Sequence, residues 1–210
     1  MLVDRTPDSA ELRDHWWWRP GWEPGSRHLQ WCLTFEGARD LHRLAERVQR
    51  SVAGIDALEP VPMPWLHLTL AGFGEVDAIT EDCVRRVINA AHHRLADAPR
   101  VDLTFSRVSV YAESVVLAPD PSSSLEAVQA VLEESGRHVL GQDAPGITVP
   151  FAPHVSVAYA IGPAAGDSVV DALQALREVE PVQAAPTLSL VEVERDGRSY
   201  TWRLVSAFPL

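Results

Sequence analysis

The sequence predicts an α+β fold with two pseudo-symmetric lobes, each built from an antiparallel sheet flanked by helices, and a cleft between the lobes. Three observations lead to this prediction. Strand-like and helix-like segments alternate irregularly, hairpin signals cluster in the second half, and two similar strand, turn and helix units lie 87 residues apart. Irregular alternation with hairpins favours α+β over a doubly wound parallel sheet.

The N-terminal residues differ from the rest of the chain. We expect residues 1–27 to form an irregular Trp/Pro/Gly-rich arm, because "DHWWWRPGWEPGSR" at 14–27 has no sustained period. Residues 28–210 should then form a single two-lobed domain, which 210 residues with 46% hydrophobic content can fill with a substantial core. The four tryptophans of the arm either pack on the domain as an apolar patch or form a lid over a site.

The first half of the domain contains strand and helix patterns in turn. "HLQWCLTF" alternates as a strand, and the next segment has the 3.6-residue spacing of a helix, with Leu41, Leu44 and Val48 on one face. Gly54 suits the end of that helix. The predicted elements in order are a strand at 28–35, a helix at 37–54, a strand at 65–71, the turn "GFGE" at 72–75 and a helix at 77–96.

The second half adds hairpins to the same pattern. An Asp-Gly pair near the C-terminus is a strong hairpin signal between two alternating segments. Serine residues before the third helix can cap its N-terminus. The predicted elements are two or three short antiparallel strands at 100–119, a helix at 122–139, a strand at 154–160, a helix at 165–179 and two strands at 187–195 and 199–208.

Charge and composition exclude several classes of function. A formal net charge of −11 argues against broad binding to nucleic-acid backbone or anionic membrane, although a small or terminal phosphate could bind locally. Cys32 and Cys83 are too few for a disulfide framework. No apolar run is long enough for a membrane span. We therefore expect a cytoplasmic protein that does not interact with membranes.

One short motif occurs twice. Residues 65–72 read "WLHLTLAG" and residues 152–159 read "APHVSVAY", so each contains a histidine and a hydroxyl residue two positions apart. About 0.2 such tetrapeptides are expected by chance at ordinary residue frequencies. Residues i and i+2 share a face of a strand. If the lobes are related by a pseudo-twofold axis, both polar faces line one cleft.

The doubled motif resembles the signature of the 2H phosphoesterases, in particular their 2′,5′-RNA ligase-like and cyclic phosphodiesterase branch. That signature is two His-x-Thr/Ser-x motifs in which x is apolar. "WLHLTLAGFGEV" is similar to the first motif and "FAPHVSVAY" to the second. The resemblance covers about residues 28–210 and leaves the arm as an addition.

The resemblance implies a metal-independent phosphoesterase that hydrolyses 2′,3′-cyclic phosphates or 2′,5′-linked nucleotides or RNA ends. It implies that His67, Thr69, His154 and Ser156 are catalytic, with His154 as the base and His67 as the acid. Two imidazoles near neutral pH suit those roles, and the hydroxyls can donate hydrogen bonds to phosphoryl oxygens. No metal-ligand spacing surrounds either motif, so we expect neither a metal nor another cofactor.

Two further residues are candidates for substrate binding. Trp65 shares the parity of His67, so it either stacks on a nucleobase or is a core tryptophan at the strand entrance. Tyr159 stands where RNA ligase-like members often carry an arginine. Strand parity turns Tyr159 away from His154 unless the strand ends or bulges, so core and base-stacking roles are both open.

The expected partner is a small nucleotide or an RNA end with a cyclic or 2′,5′ phosphodiester, bound by a monomer. A second hypothesis is a non-catalytic nucleotide- or RNA-end-binding module that uses the same cleft. A His-based metal-binding protein is a third. Intact histidines and hydroxyls in both motifs favour catalysis, because binding alone does not need two proton-transfer groups.

Overall fold

The fold is described from a computed structural model for residues 1–96, 100–141 and 151–209. Within this part the chain forms two main sheets, one short strand pair and four α-helices. The strands are β1 Leu2–Arg5, β2 Glu11–Leu12, β3 Arg27–Thr34, β4 Leu58–Pro60, β5 His67–Glu75, β6 Leu103–Val110, β7 Ser114–Pro119, β8 Val155–Ala160, β9 Ala164–Ala165, β10 Val182–Ala184, β11 Thr187–Asp196 and β12 Ser199–Pro209. The helices are α1 Arg39–Val52, α2 Glu81–Leu95, α3 Ser123–Leu140 and α4 Gly166–Ala172.

The two main sheets carry one histidine motif each. The first has the order β1-β6-β7-β8-β4, and β10 pairs with the other half of β6. The second has the order β12-β11-β3-β5 and is antiparallel throughout. Helix α1 contacts β8 and β10, while α3 contacts β5 and packs against α2. The prediction of a bilobed α+β fold is confirmed.

The helices form where the sequence places apolar faces and caps. Leu41, Leu44 and Val48 of α1 are all buried, as the spacing predicts. The side chain of Thr80 accepts a hydrogen bond of 3.2 Å from a backbone N–H in the first turn of α2, and Ser122 does the same for α3. No helix in the described ranges is both long and apolar enough to span a membrane.

Strand β5 is longer than its sequence predicts. The residues of the predicted turn "GFGE" instead continue the strand to Glu75, because Phe73 is buried against α3. The Phe73 ring packs so closely on Gly136 of α3 that it leaves no room there for a Cβ. The strand begins at His67, since Met63–Trp65 form a 3-10 turn. Glycine is uncommon inside strands, which is why the pattern indicated a turn.

The predicted helix at 165–179 is also shorter than expected. Helix α4 ends at Ala172, and Gln174–Glu178 form a separate 3-10 turn. The N–H of Leu173 is shared between the carbonyls of Val169 and Val170, which is the tightening that marks the change from α to 3-10 geometry.

The N-terminal arm is less irregular than predicted. Strand β1 pairs in parallel with β6, and β2 pairs with β9. These strands have four and two residues, too few to show alternation, and they form through long-range pairing. Residues 13–26 contain only turns, bends and irregular backbone.

Candidate active site

A cavity of about 730 Å³ lies where the two histidine strands and the arm meet. This volume falls in the range of small-molecule sites. The four residues predicted to be catalytic all line it: His67 and Thr69 from β5, Ser156 from β8, and His154 from the position just before β8. The lining residues are Thr6, Asp8, Arg13, His15, Arg19, Trp22, Gln30, His67, Thr69, Tyr111, Ala112, Glu113, Ser114, Ala152, His154, Ser156, Tyr159, Val193 and Tyr200.

Strand β5 contains a bulge just after its motif. Opposite β3, Thr69 pairs with Cys32, whereas Ala71 pairs with Trp31. Leu70 is therefore one residue in excess of the ladder. An extra residue of this kind shifts the alternation of faces by one position.

Strand β8 has a bulge at the corresponding place. Opposite β7, Ser156 pairs with Val116, whereas Ala158 pairs with Val115. Val157 is therefore the extra residue. In both strands the bulge falls three positions after the histidine, so the two motifs share backbone geometry as well as sequence.

The bulges decide which side chain follows the motif on the cavity face. Beyond the extra residue, the fifth position after each histidine returns to the face of the histidine. In β8 that position is Tyr159, which lines the cavity. In β5 it is Gly72, where an added Cβ would meet no heavy atom within 4 Å. The bulge thus answers the question of parity that the sequence left open for Tyr159.

Both imidazoles are oriented by the same backbone contact. The Nδ1 atom of His67 lies 2.9 Å from the carbonyl oxygen of Trp65, and that of His154 lies 2.8 Å from the carbonyl oxygen of Ala152. A carbonyl oxygen only accepts hydrogen bonds, so Nδ1 carries the proton and donates. In each neutral ring Nε2 is then the nitrogen available for proton exchange with a ligand.

The protonation of the two histidines follows from their burial. Burial lowers the pKa of His67 below 6.5, the hydrogen bond to Trp65 partly opposes this, and the charge of His154 lowers it further. Burial also lowers the pKa of His154, against the hydrogen bond to Ala152. Both rings are therefore neutral at pH 7, and they are close enough for the charge of one to affect the other.

The two hydroxyl groups have different neighbours. The Oγ1 atom of Thr69 lies 3.9 Å from Sγ of Cys32, a thiol whose pKa is raised to about 12 by burial. Burial raises the pKa of the Tyr159 phenol, and a hydrogen bond with Ser156 opposes that rise. Both hydroxyls are only partly buried, so a ligand in the cavity can reach them.

Trp65 is placed differently from the other predicted site residues. It is not among the described residues that line the cavity. Its ring packs edge-on against Trp202 at a centroid distance of 4.8 Å, and Trp202 in turn lies 5.1 Å from the ring of His67. Trp65 therefore packs at the entrance to β5 and positions His67 through its carbonyl oxygen.

The arm forms one wall of the cavity, which the sequence did not predict in detail. His15 stacks on Tyr159 at 4.1 Å between ring centroids, and burial with the charge of Arg19 lowers the pKa of His15 to about 4. Trp22 stacks on His28 at 3.9 Å. The sequence feature that could have indicated this wall of the cavity is the mixture of His, Arg and Trp residues at 13–22.

Arg195 of β11 fixes the arm in place. Its guanidinium donates to the carbonyl oxygens of Trp16 and Trp17 and lies 4.0 Å from the ring centroid of Trp18. Trp16 is buried, whereas Trp17 and Trp18 are 48% and 44% exposed. The arm is thus a packed wall of the site, combining features of both the apolar patch and the lid that the sequence allowed.

Glu113, in the turn between β6 and β7, ties the arm to the first sheet. Its carboxylate accepts hydrogen bonds from Arg19 Nη2 at 2.7 Å, Arg13 Nε at 3.0 Å and Trp17 Nε1 at 3.1 Å. Burial works against ionisation, but these donors hold the pKa of Glu113 below its usual range. The carboxylate is therefore charged when it anchors the arm.

The described residues contain no group of three or more His, Cys, Asp or Glu side chains placed to hold a metal ion. The cavity instead presents three imidazoles, those of His15, His67 and His154, together with several hydroxyls and the guanidinium groups of the arm. Such groups can transfer protons and donate hydrogen bonds to an anionic ligand.

Three solved structures illustrate the similarity of the fold. The chain is similar to TT0787 of Thermus thermophilus, with 21% identity, a TM-score of 0.64, and coverage of 87% of this chain and 97% of that one. The chain is also similar to E. coli LigT complexed with 3'-AMP, with 16% identity, a TM-score of 0.64, and coverage of 88% of this chain and 98% of that one. A third similar structure is a crystal structure of a phosphoesterase, with 17% identity, a TM-score of 0.61, and coverage of 90% of this chain and 99% of that one.

Sequence comparison identifies the family more directly. No curated protein matches the chain. The family model of the 2'-5' RNA ligase superfamily matches residues 40–197, a region that contains both histidine motifs and most of the chain. The chain therefore belongs to the 2'-5' RNA ligase superfamily, the 2H phosphoesterases.

Proposed function

We propose that the protein is a metal-independent phosphoesterase that hydrolyses a 2′,3′-cyclic phosphate or a 2′,5′-linked nucleotide or RNA end by two-histidine acid-base catalysis. One observation carries the proposal: two histidines with identically fixed Nδ1 atoms, each followed by a hydroxyl residue, line one cavity. Family membership supports phosphoesterase or ligase-type activity. The similarity to crystal structures of E. coli LigT complexed with 3'-AMP and with ATP supports a nucleotide as the ligand.

The reaction needs one proton acceptor and one proton donor. Nε2 of His154 removes a proton from water, and the water oxygen forms a bond to phosphorus. The bond between phosphorus and one ribose oxygen breaks, and protonated His67 gives its Nε2 proton to that oxygen. The products are a phosphate monoester and a free ribose hydroxyl. The assignment of base and acid follows the family resemblance.

The hydroxyls stabilise the charge that develops during this step. Thr69 and Ser156 lie on the same strand faces as the histidines and donate hydrogen bonds to the non-bridging phosphoryl oxygens. The backbones of β5 and β8 hold both hydroxyl residues in place before the ligand binds. Preorganised donors of this kind avoid reorganisation in the transition state.

The lowered pKa values of the histidines shape the cycle. Without substrate, both rings are neutral at pH 7, which suits the base but leaves the acid without its proton. A phosphodiester brings a negative charge close to both rings, and a nearby opposite charge raises the pKa of an imidazole. Substrate binding therefore favours the charged form that the acid requires.

A substrate screen in EDTA tests the proposal. The purified protein is incubated with 2′,3′-cyclic mononucleotides, with a short RNA ending in a 2′,3′-cyclic phosphate and with a 2′,5′-linked adenylate dimer. We expect hydrolysis of at least one, at the same rate with and without EDTA, and none by the His67→Ala/His154→Ala double variant. Activity that EDTA abolishes and zinc restores contradicts the proposal, and binding without turnover supports the non-catalytic module.

The monomeric state and the cytoplasmic location expected from the sequence remain predictions. Light scattering coupled to gel filtration tests the first, with a single species of 23.1 kDa as the expected result. A stable dimer at assay concentrations would contradict it.

A further inference from the structure

The positive charge in the cavity comes from the arm. Within the described lining the cationic side chains other than histidine are Arg13 and Arg19, both from residues 13–26. Apart from histidine, the strand residues that line the cavity carry neutral side chains, and the carboxylates are Asp8 of the arm and Glu113 of the turn between β6 and β7. Asp8 and Glu113 balance the formal charge of these two guanidinium groups, in a chain whose net charge is −11.

Arg19 is the better placed of the two for ligand binding. Its Nη2 atom donates to Glu113 and lies 3.4 Å from Nδ1 of His15. Both contacts use Nη2, and the guanidinium also lies 5.0 Å from the ring centroid of Trp17 and interacts with the Tyr200 hydroxyl. The side chain of Arg19 is 36% exposed, whereas that of Arg13 is 67% exposed and bonded through Nε. Arg19 is thus held in the wall yet accessible from the cavity.

Arg19 remains a cation in this setting. Burial works to lower its pKa, but the Glu113 carboxylate and the Tyr200 hydroxyl outweigh that effect and raise it. A guanidinium has a planar set of N–H donors that matches the oxygens of a phosphate group. Because the arm is clamped by Arg195, this donor is positioned before any ligand arrives.

His15 connects Arg19 to the wall at Tyr159. Its ring stacks on Tyr159 at 4.1 Å between ring centroids, and its Nδ1 atom lies 3.4 Å from Nη2 of Arg19. The Nδ1 atoms of His67 and His154 are held by other residues, Trp65 and Ala152. Arg19 and the two histidine motifs thus line one cavity from different elements, so a ligand whose first phosphate lies between the two histidines can offer a second group to Arg19.

We propose that Arg19 binds a second phosphate group of the substrate, so that the protein prefers nucleotides that carry a phosphate in addition to the one at the histidines. The inference rests on the proposed function for the position of the first phosphate. It makes the arm a determinant of substrate specificity.

Calorimetric binding of two ligands tests the inference without requiring turnover. Adenosine 3′-monophosphate and adenosine 3′,5′-bisphosphate differ by one phosphate, and their Kd ratio is measured for wild type, Arg19→Ala and Arg19→Gln. Arg203→Ala is the matched control, because Arg203 also pairs with a glutamate, Glu192, but does not line the cavity. If the alanine variant folds poorly, the glutamine variant keeps a shorter, polar and uncharged side chain at this position.

We expect the second phosphate to strengthen binding to wild type about tenfold or more, the scale of a charge-assisted hydrogen bond. In both Arg19 variants the Kd values of the two nucleotides should agree to within about twofold. In Arg203→Ala the Kd ratio should stay as in wild type. A ratio near one in wild type, a ratio retained by the Arg19 variants, or a ratio lost in Arg203→Ala would overturn the inference.

A parallel assay separates this inference from the proposed function. Hydrolysis of adenosine 2′,3′-cyclic phosphate by wild type is followed under the same conditions. Absent hydrolysis with an intact binding preference contradicts the proposed function and supports the role of Arg19. Hydrolysis without a binding preference supports the enzyme and contradicts the role of Arg19.

Discussion

The two histidine strands agree closely at the start of their motifs and differ at their fifth position. Strands β5 and β8 share the His-x-hydroxyl spacing, the contact from Nδ1 to a backbone carbonyl two residues earlier, and a bulge three residues after the histidine. After the bulge, β5 presents Gly72 with open space around it, whereas β8 presents Tyr159, covered by His15. The shared part supplies the reaction groups, and the differing part shapes the site.

This difference indicates how the lobes divide their roles. The symmetric positions are those that the proposed reaction needs twice, namely an imidazole and a hydroxyl. Of the two asymmetric positions, Tyr159 contacts His15 and Trp16 of the arm, whereas a Cβ added at Gly72 would meet no heavy atom within 4 Å. Catalysis is thus expected to depend on both strands, while recognition depends mainly on the side of β8 and the arm.

The largest expected effect is loss of either histidine. His67→Ala and His154→Ala should each lower kcat by about 10²- to 10⁴-fold, because each removes a proton-transfer group that acts in the transition state. The Kd of adenosine 3′-monophosphate should change much less. His138→Ala, an exposed histidine on α3, is the control and should match wild type. Lost binding with unchanged slow turnover would instead favour a binding module.

The fifth positions should differ in their contribution to stability. Tyr159→Ala removes a buried ring from contact with His15 and Trp16, and we expect it to lower the free energy of unfolding by about 3 kcal/mol or more. Gly72→Ala adds a methyl group in open space and should change it by less than about 1 kcal/mol. Urea unfolding of both variants measures the difference, and equal destabilisation would contradict the asymmetry.

The two hydroxyls should contribute similarly to the rate. Thr69→Val and Ser156→Ala are each expected to lower kcat by about 10²-fold, as removal of a donor to developing charge typically does. Tyr159→Phe serves as a control for the hydrogen bond between Tyr159 and Ser156 and should have a smaller effect. Steady-state kinetics on one cyclic-phosphate substrate measures all three. Wild-type rates in either hydroxyl variant would remove that residue from the mechanism.

His15, which stacks on Tyr159 of β8, should make the stability of the protein depend on pH. His15 has a pKa of about 4 in the folded protein because burial disfavours its charge, against an ordinary value of 6.5. As pH falls from 6.5 towards 4, the unfolded state binds a proton that the folded state refuses, so the folded state loses stability. The loss amounts to about 3 kcal/mol at pH 4 and is absent at pH 7.

His15→Phe keeps an aromatic ring beside Tyr159 but removes this titration. Urea unfolding of wild type and of this variant at several pH values should show the stability difference shifting by about 3 kcal/mol in favour of the variant between pH 7 and pH 4. A difference that does not change with pH would show that His15 titrates normally in the folded protein.

The sequence was sufficient for the parts of the site that depend on local alternation. Parity within a strand placed His67 and Thr69 on one face with Leu68 buried on the other, and the repeat predicted the same for His154 and Ser156. Helix α1 followed from its apolar spacing. These features need only neighbouring residues, so a single sequence contains them.

The remaining features depend on pairing between distant residues. The bulges at Leu70 and Val157 are defined by partner strands, so parity alone left the direction of Tyr159 open. The extension of β5 through Gly72 and Gly74 requires α3 to cover Phe73. The wall made by the arm depends on Glu113, about 100 residues away in sequence.

The pH dependence of kcat/KM tests the central claim, acid-base catalysis by two histidines, most directly. This parameter reports the ionisations of the free enzyme. Because burial lowers the pKa of both histidines, the account predicts a bell-shaped profile for wild type with its maximum on the acid side of 6.5. Activity falls at low pH as the base gains a proton, and falls at higher pH as the acid loses one. His154→Ala should lose the acid limb and His67→Ala the basic limb. A wild-type profile that is flat between pH 4 and 8, or both variants retaining both limbs, would contradict the account.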